Sequence, residues 1–213
     1  IVNGLVGSEM CIRDSLPANG DLKDPAAFNF KDADTYNRAT SSTVYDSMGQ
    51  SYKLTTYYLK DQTQPNTWQT YYTMSDENGE KPVNITGGDA TNAQGHVGHT
   101  MKFNNDGTLA SLNSGQPINS EPLGAGANPV DLNGADPTQV LKFGLDSSTQ
   151  FAAPFELTKF DEDGATTGFL TKIDFDEYGS VLGTYSNGEN VMLGRVGLVR
   201  VPNEQGLDKK GGT

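Results

Sequence analysis

Two histidines, His96 and His99, stand three apart among glycines, and the chain has no others. Neutral imidazoles at that spacing can share a zinc ion. No third ligand stands close by in the sequence, so the expectation is a solvated loop rather than a metal site. Two acidic clusters come next, Asp161-Glu-Asp-Gly164 and Asp174-x-Asp176-Glu177. A calcium loop needs alternating carboxylates, a glycine at its sixth position and a distant Glu. Neither cluster meets that pattern, and turn chemistry explains both. Paired carboxylates can also hydrolyse glycosides, but every close pair here falls where a turn already uses its Asp. No nucleophile elbow or phosphate loop is present in the sequence. The single cysteine, Cys11, forms no internal disulfide and receives no redox or metal role. The sequence therefore assigns no catalytic, cofactor-binding or metal-binding residue.

An aromatic group remains: Tyr52, Tyr57, Tyr58, Trp68, Tyr71 and Tyr72. Such rings could form a carbohydrate-binding face. In paired strands they more often make cross-strand core contacts, and core is the favoured reading.

The elements that position these residues are announced by turns. Asp46-Ser-Met-Gly49, Asp76-Glu-Asn-Gly79, Asp106-Gly107, Asp161-Glu-Asp-Gly164, Asp176-Glu-Tyr-Gly179 and Asn187-Gly188 recur along the chain. Asp caps the first position of a type I turn, and a closing Gly takes the left-handed conformation that returns the chain. Between them lie short runs rich in Val, Ile, Leu, Thr, Tyr and Phe, the pattern of consecutive hairpins. No segment keeps apolar residues at helical spacing for three turns. The fold class is therefore all-β: two small antiparallel β domains, barrel- or sandwich-like and hairpin-rich, after an irregular N-terminal lead-in.

Composition agrees. Hydrophobic residues make up 34% of the 213, with a mean hydropathy of -0.55. That suits thin β layers with one wet face. The net charge of -12 opposes binding to nucleic acid or to anionic membranes. No apolar run is long enough to make a membrane-spanning helix.

Along the chain, residues 1–15 read unlike the rest. Gly7-Ser-Glu-Met-Cys-Ile-Arg-Asp-Ser15 is similar to a translated sequencing adaptor, which predicts a non-native leader; a native leading strand is the alternative. Leu16 to Arg38 reads as a lead-in with at most a turn of helix near Asp32 to Asn37. Strands are expected at Ser41–Tyr45, Tyr52–Leu59 and Trp68–Met74, the last with Trp68, Thr70, Tyr72 and Met74 on one face. Asn84 to His99 reads as a mobile loop, and Gly115 to Pro137, with four prolines, as a surface excursion. Gln139 to Leu145 reads as a strand with Leu141, Phe143 and Leu145 on one face. Asp146 to Pro154 reads as a crossover into a second unit. There Phe155–Phe160, Phe169–Phe175, Val181–Tyr185 and Val191–Val201 alternate with turns, and Gly206 to Thr213 neither caps nor covers an edge.

These residues resemble the bacterial flagellar hook protein family. The resemblance is carried by Ala33-Asp-Thr-Tyr-Asn37, Ser42-Thr-Val-Tyr-Asp-Ser-Met-Gly49, Leu54-Thr-Thr-Tyr-Tyr-Leu-Lys60 and Trp68-Gln-Thr-Tyr71. Further along it is carried by Phe103 to Leu109, Gly168-Phe-Leu170, Tyr185-Ser-Asn-Gly188 and Asn203-Glu-Gln-Gly-Leu207. It implies an outer β domain over 16–146 and the second part of an inner β domain over 147–213. It implies a structural subunit of the hook, the flexible tubular joint between basal body and filament, located outside the cell. The implied partners are other copies of the chain in a helical polymer, the hook-cap, rod and hook–filament junction proteins, and the flagellar export apparatus. The family's terminal helices and the first half of its inner domain have no counterpart here. The rival readings are a distal rod protein and a secreted carbohydrate-binding β module.

Overall fold

The computed structural model describes residues 9–125, 130–152, 154–162, 166 and 168–197. In chain order the strands are β1 (Glu9–Pro17), β2 (Leu22–Lys23), β3 (Arg38–Tyr45), β4 (Ser51–Asp61), β5 (Thr67–Asp76), β6 (Gly79–Val83), β7 (Ala90–Thr91) and β8 (Val97–Phe103). They continue as β9 (Leu109–Leu112), β10 (Ile118–Asn119), β11 (Lys142–Gly144), β12 (Thr149–Phe151), β13 (Glu156–Glu162), β14 (Leu170–Phe175), β15 (Ser180–Tyr185) and β16 (Asn190–Arg195). Only short 3-10 turns accompany them among the described residues, one at Ala33–Thr35 where a turn of helix was expected. The all-β expectation therefore holds.

The chain forms two compact units, one over 3–167 and one from Gly168 onward. In the first unit β4 and β5 pair antiparallel from Lys53↔Ser75 to Lys60↔Trp68 and anchor an eight-stranded sheet. A five-stranded sheet places β1 between β11 and β12, with β13 also pairing β1. Both β11 and β12 run parallel to β1, so this sheet is mixed rather than purely antiparallel. The core lies between the two sheets. Leu54, Tyr72, Met74, Ile118, Phe143 and Leu145 share one buried cluster, and Leu16, Tyr58, Trp68, Met101 and Phe103 share another. The opposite face of the large sheet is also covered: Phe28, Tyr57, Leu59 and Tyr71 form a third cluster. Hence β5 buries both of its faces, not only the Trp68–Met74 one.

The turns form as their residues dictate. Asp46 Oδ1 accepts the Met48 and Gln50 amides, and Asp176 Oδ1 accepts those of Tyr178 and Ser180. Gly49, Gly79, Gly107, Gly179 and Gly188 all take positive φ. The turn expected at Asp161–Gly164 runs outside the described residues, as do the end of the strand expected up to Val201 and the whole of 203–213.

From Glu9 the segment read as a leader runs as a strand paired on both sides. Two loop expectations are corrected. Asn84 to His99 is an ordered part of the unit: it carries β7, the start of β8 and buried Asn84, Asn92 and His99. Its asparagines supply the order, since Asn84 Oδ1 accepts the Val97 amide and Asn92 Oδ1 accepts those of Gln94 and His96. Within Gly115 to Pro137, buried Ile118, Leu123, Val130, Leu132 and Ala135 enter the main core instead of skirting it. The two compact units divide at 167/168, and β12 and β13 pair with β1 within the first of them.

In the second unit, β14, β15 and β16 form one antiparallel sheet. Phe169, Leu170, Ile173, Phe175, Met192 and Leu193 are all exposed. Lys172 and Asp174 pair at 2.8 Å.

Candidate assembly surfaces

The two histidines diverge. His99, on β8, is wholly buried: its Nε2 shares a 2.8 Å hydrogen bond with the Tyr72 hydroxyl, and its ring stacks on Tyr72. Its Nδ1 has no hydrogen-bond partner among the described residues. Burial lowers its pKa to about 4, against a smaller opposing pull from Asp89. His99 is thus a core histidine, not the solvated residue expected. His96 is half-buried and stacks on Phe30 at 5.6 Å; burial lowers its pKa as well. The histidines sit in different packing environments, and no group of three or more His, Cys, Asp or Glu among the described residues could hold a metal ion.

The acids do turn work. Hydrogen bonds from Thr108 hold the Asp106 carboxyl below its usual range, those from Thr138 do the same for Asp136, and those from Ser180 for Asp176. The cluster at Asp161–Gly164 reaches beyond the described residues, and the side chain of Cys11 is not among those described.

The aromatic group is core, as favoured. Tyr52, Tyr57, Tyr58, Trp68, Tyr71 and Tyr72 are all buried. Trp68 Nε1 donates to Gln150 Oε1 at 2.9 Å, which ties β5 to β12. Tyr57 donates to Glu80 Oε1 at 2.7 Å, and Tyr72 stacks on Phe143 at 4.1 Å. Burial, then the Asp46 carboxylate, pushes the Tyr52 phenol up to about 12. These rings present no open platform to a sugar.

What the described residues offer is surface. Two open clefts lie on the first unit, one beside Asn19, Asp21, Asn37 and Arg38, the other beside Gln116, Pro117, Asn119 and Pro122. Neither gathers a nucleophile with a base. The second unit shows its apolar sheet residues to solvent. Large exposed apolar patches mark contact with other protein surfaces. A period of two along a strand does not by itself tell a core from an uncovered face, because both share it.

Residues 15–165 match the family model described as the flagellar basal body protein FlaE D2 domain. The chain is 28% identical to the flagellar hook protein FlgE of Escherichia coli over 99% of its own length and 48% of that protein's. It is 33% identical to the flagellar hook protein FlgE of Borreliella burgdorferi, over 81% of this chain and 38% of that one. Among solved structures, the Helicobacter pylori flagellar hook protein FlgE2 aligns over 83% of this chain and 35% of that one, at 21% identity and a TM-score of 0.49. The chain spans about half the length of the curated relatives it matches first.

Proposed function

The chain belongs to the flagellar hook protein family, and from that premise we propose that it is part of a structural subunit of the flagellar hook. In this reading the unit over 3–167 is the outer domain and the sheet from Gly168 onward is part of the inner domain. The subunit works by contact with neighbours and carries no catalysis. Its partners are further copies of itself in a helical polymer outside the cell, with cap, rod and junction proteins at the ends and the export apparatus on the way out.

The observation that carries the reading is the division of apolar surface. The first unit buries most of its large apolar side chains in three clusters, with Leu22, Met48 and Phe151 exposed, whereas the smaller second unit leaves Phe169, Leu170, Ile173, Phe175, Met192 and Leu193 exposed. A closed module that only binds a ligand would not leave so much apolar side chain exposed on one small sheet; a module within a larger assembly would. The core placement of the aromatics weighs against the carbohydrate-binding alternative.

The test uses the full-length protein that contains this segment. Purified and concentrated, it should form tubes visible by electron microscopy, and it should restore motility to a strain lacking its hook gene. Tubes that fail to form, together with motility that is not restored, would overturn the reading. Retention on a polysaccharide array would favour the binding module instead.

A further inference from the structure

A sheet edge presents unpaired backbone N–H and C=O groups, and proteins usually blunt it with short strands, proline, charge or bulges. The eight-stranded sheet does so at most of its margins. β2 and β7 are two residues each. β9 has four residues and a register shift against β8. β6 contains Pro82 beside Glu80 and Lys81. β3 is the exception. It runs eight residues in unbroken register with β4, without Pro, Lys or a bulge, and its one charge is Arg38 at its start.

Its outward groups can be assigned. The Asp46 amide donates to Gln50 across the end of the ladder, so even-numbered residues of β3 bond to β4 and odd-numbered residues point away. The Tyr45 carbonyl confirms the phase, because it is taken from outside by Gln139 Nε2 at 2.9 Å. Ala39, Ser41 and Thr43 are left with outward backbone groups that no described segment pairs, and all three are exposed.

We propose that this edge is a strand-pairing site, where a second copy of the chain adds its own β3 antiparallel, centred on Ser41. That register sets Ser41 against Ser41, Ala39 against Thr43 and Arg38 against Val44, so no like charges meet. The chain carries a net charge of -12, which makes two copies repel. They approach at least cost where no exposed carboxylate lies, and Arg38–Tyr45 contains none. Main-chain hydrogen bonds then supply the attraction, as in other cases of strand addition. The pairing rests on the edge and not on the hook assignment, so failure of one leaves the other standing.

The experiment is sedimentation of the full chain up to about millimolar concentration, where contacts this small associate, with residue-resolved amide exchange alongside. Reversible pairing is expected, with the Ala39, Ser41 and Thr43 amides becoming protected as concentration rises. Ser41→Lys and Ser41→Glu should each weaken pairing by about tenfold or more at low salt. Mixing the two variants should restore it, because opposite charges then face each other across the two-fold. Three results would overturn the proposal: no wild-type association, association with those three amides unprotected, or a mixture that pairs no better than either variant alone. Association that persists in both variants and protects Leu170–Phe175 would assign the contact to the other sheet and overturn it too.

Discussion

Acid should loosen the first unit through His99. The imidazole is fully buried on β8 with Nδ1 unpartnered, and its folded pKa falls from 6.5 to about 4. The unfolded chain therefore binds the proton more readily than the folded one. Stability is complete above the unfolded pKa and is lost as pH falls from 6.5 toward 4. The whole shift corresponds to about 3 kcal/mol, and about 2 kcal/mol of it is lost between about pH 7 and about pH 5. At a urea slope near 2 kcal/mol/M the midpoint should drop by about 1 M over that interval. Hydrogen-bonded Asp106, Asp136 and Asp176 are held below 3.8, so their contributions fade at lower pH and do not obscure the window.

Trp68 makes the measurement selective. It is the only tryptophan, fully buried and in the same unit as His99, so its fluorescence reports that unit's unfolding. His99→Gln removes the titrating group and should flatten the midpoint against pH. His96→Asn removes only a half-buried ring and should leave most of the slope. A wild-type midpoint that stays level from neutral pH to about pH 5, or an equal slope in His99→Gln, would refute the argument from burial.

Gln150→Leu leaves the buried Trp68 indole N–H without its acceptor; urea unfolding followed by fluorescence should show a loss of about 1–3 kcal/mol. At Gly179 (φ 80) an added Cβ would lie 2.7 Å from the Val196 carbonyl, so Gly179→Val should destabilise the β14–β16 sheet by about 1 kcal/mol or more, read from exchange of its amides. Deleting residues 1–14 removes most of the strand that β11, β12 and β13 pair with. The thermal midpoint should fall by several degrees or more; a midpoint unchanged within about 1–2 °C would show that the segment contributes no packing.

The features legible in the sequence are those whose causes are local. An Asp that accepts the amide two residues on, and a Gly that returns the chain, need no distant partner, so the turns at Gly49, Gly107 and Gly179 stood where the residues placed them. Leu141, Phe143 and Leu145 were readable for the same reason, since alternation alone put them inside. The misreadings share the opposite cause. His99, Asn84 and Asn92 look like loop residues, yet their partners are distant in sequence: Asn92 Nδ2 reaches the Phe28 carbonyl, and His99 Nε2 pairs with the Tyr72 hydroxyl. Gly115 to Pro137 has no period to read because it enters the core through single residues such as Leu123 and Val130. The parallel pairing of β1 with β11 and β12 joins segments over a hundred residues apart, and nothing local encodes it.

The same polar core bears on how a hook subunit would yield under load. A core of aliphatic side chains resists slip through its close packing alone. Here Thr67, Thr70, Thr73, Asn84, Asn92 and His99 are buried among the rings, and several are held by directional bonds to distant segments. Sliding one strand against the next would break those bonds inside the protein, where an unsatisfied polar group costs far more than at the surface. The interior of the first unit therefore resists shear more than its surface contacts do. In a bending polymer the compliance then belongs to the contacts between copies, where water can replace each polar bond as it breaks. Such contacts are heterologous in a helical polymer, and weak ones can open and re-form while the domain itself keeps its shape.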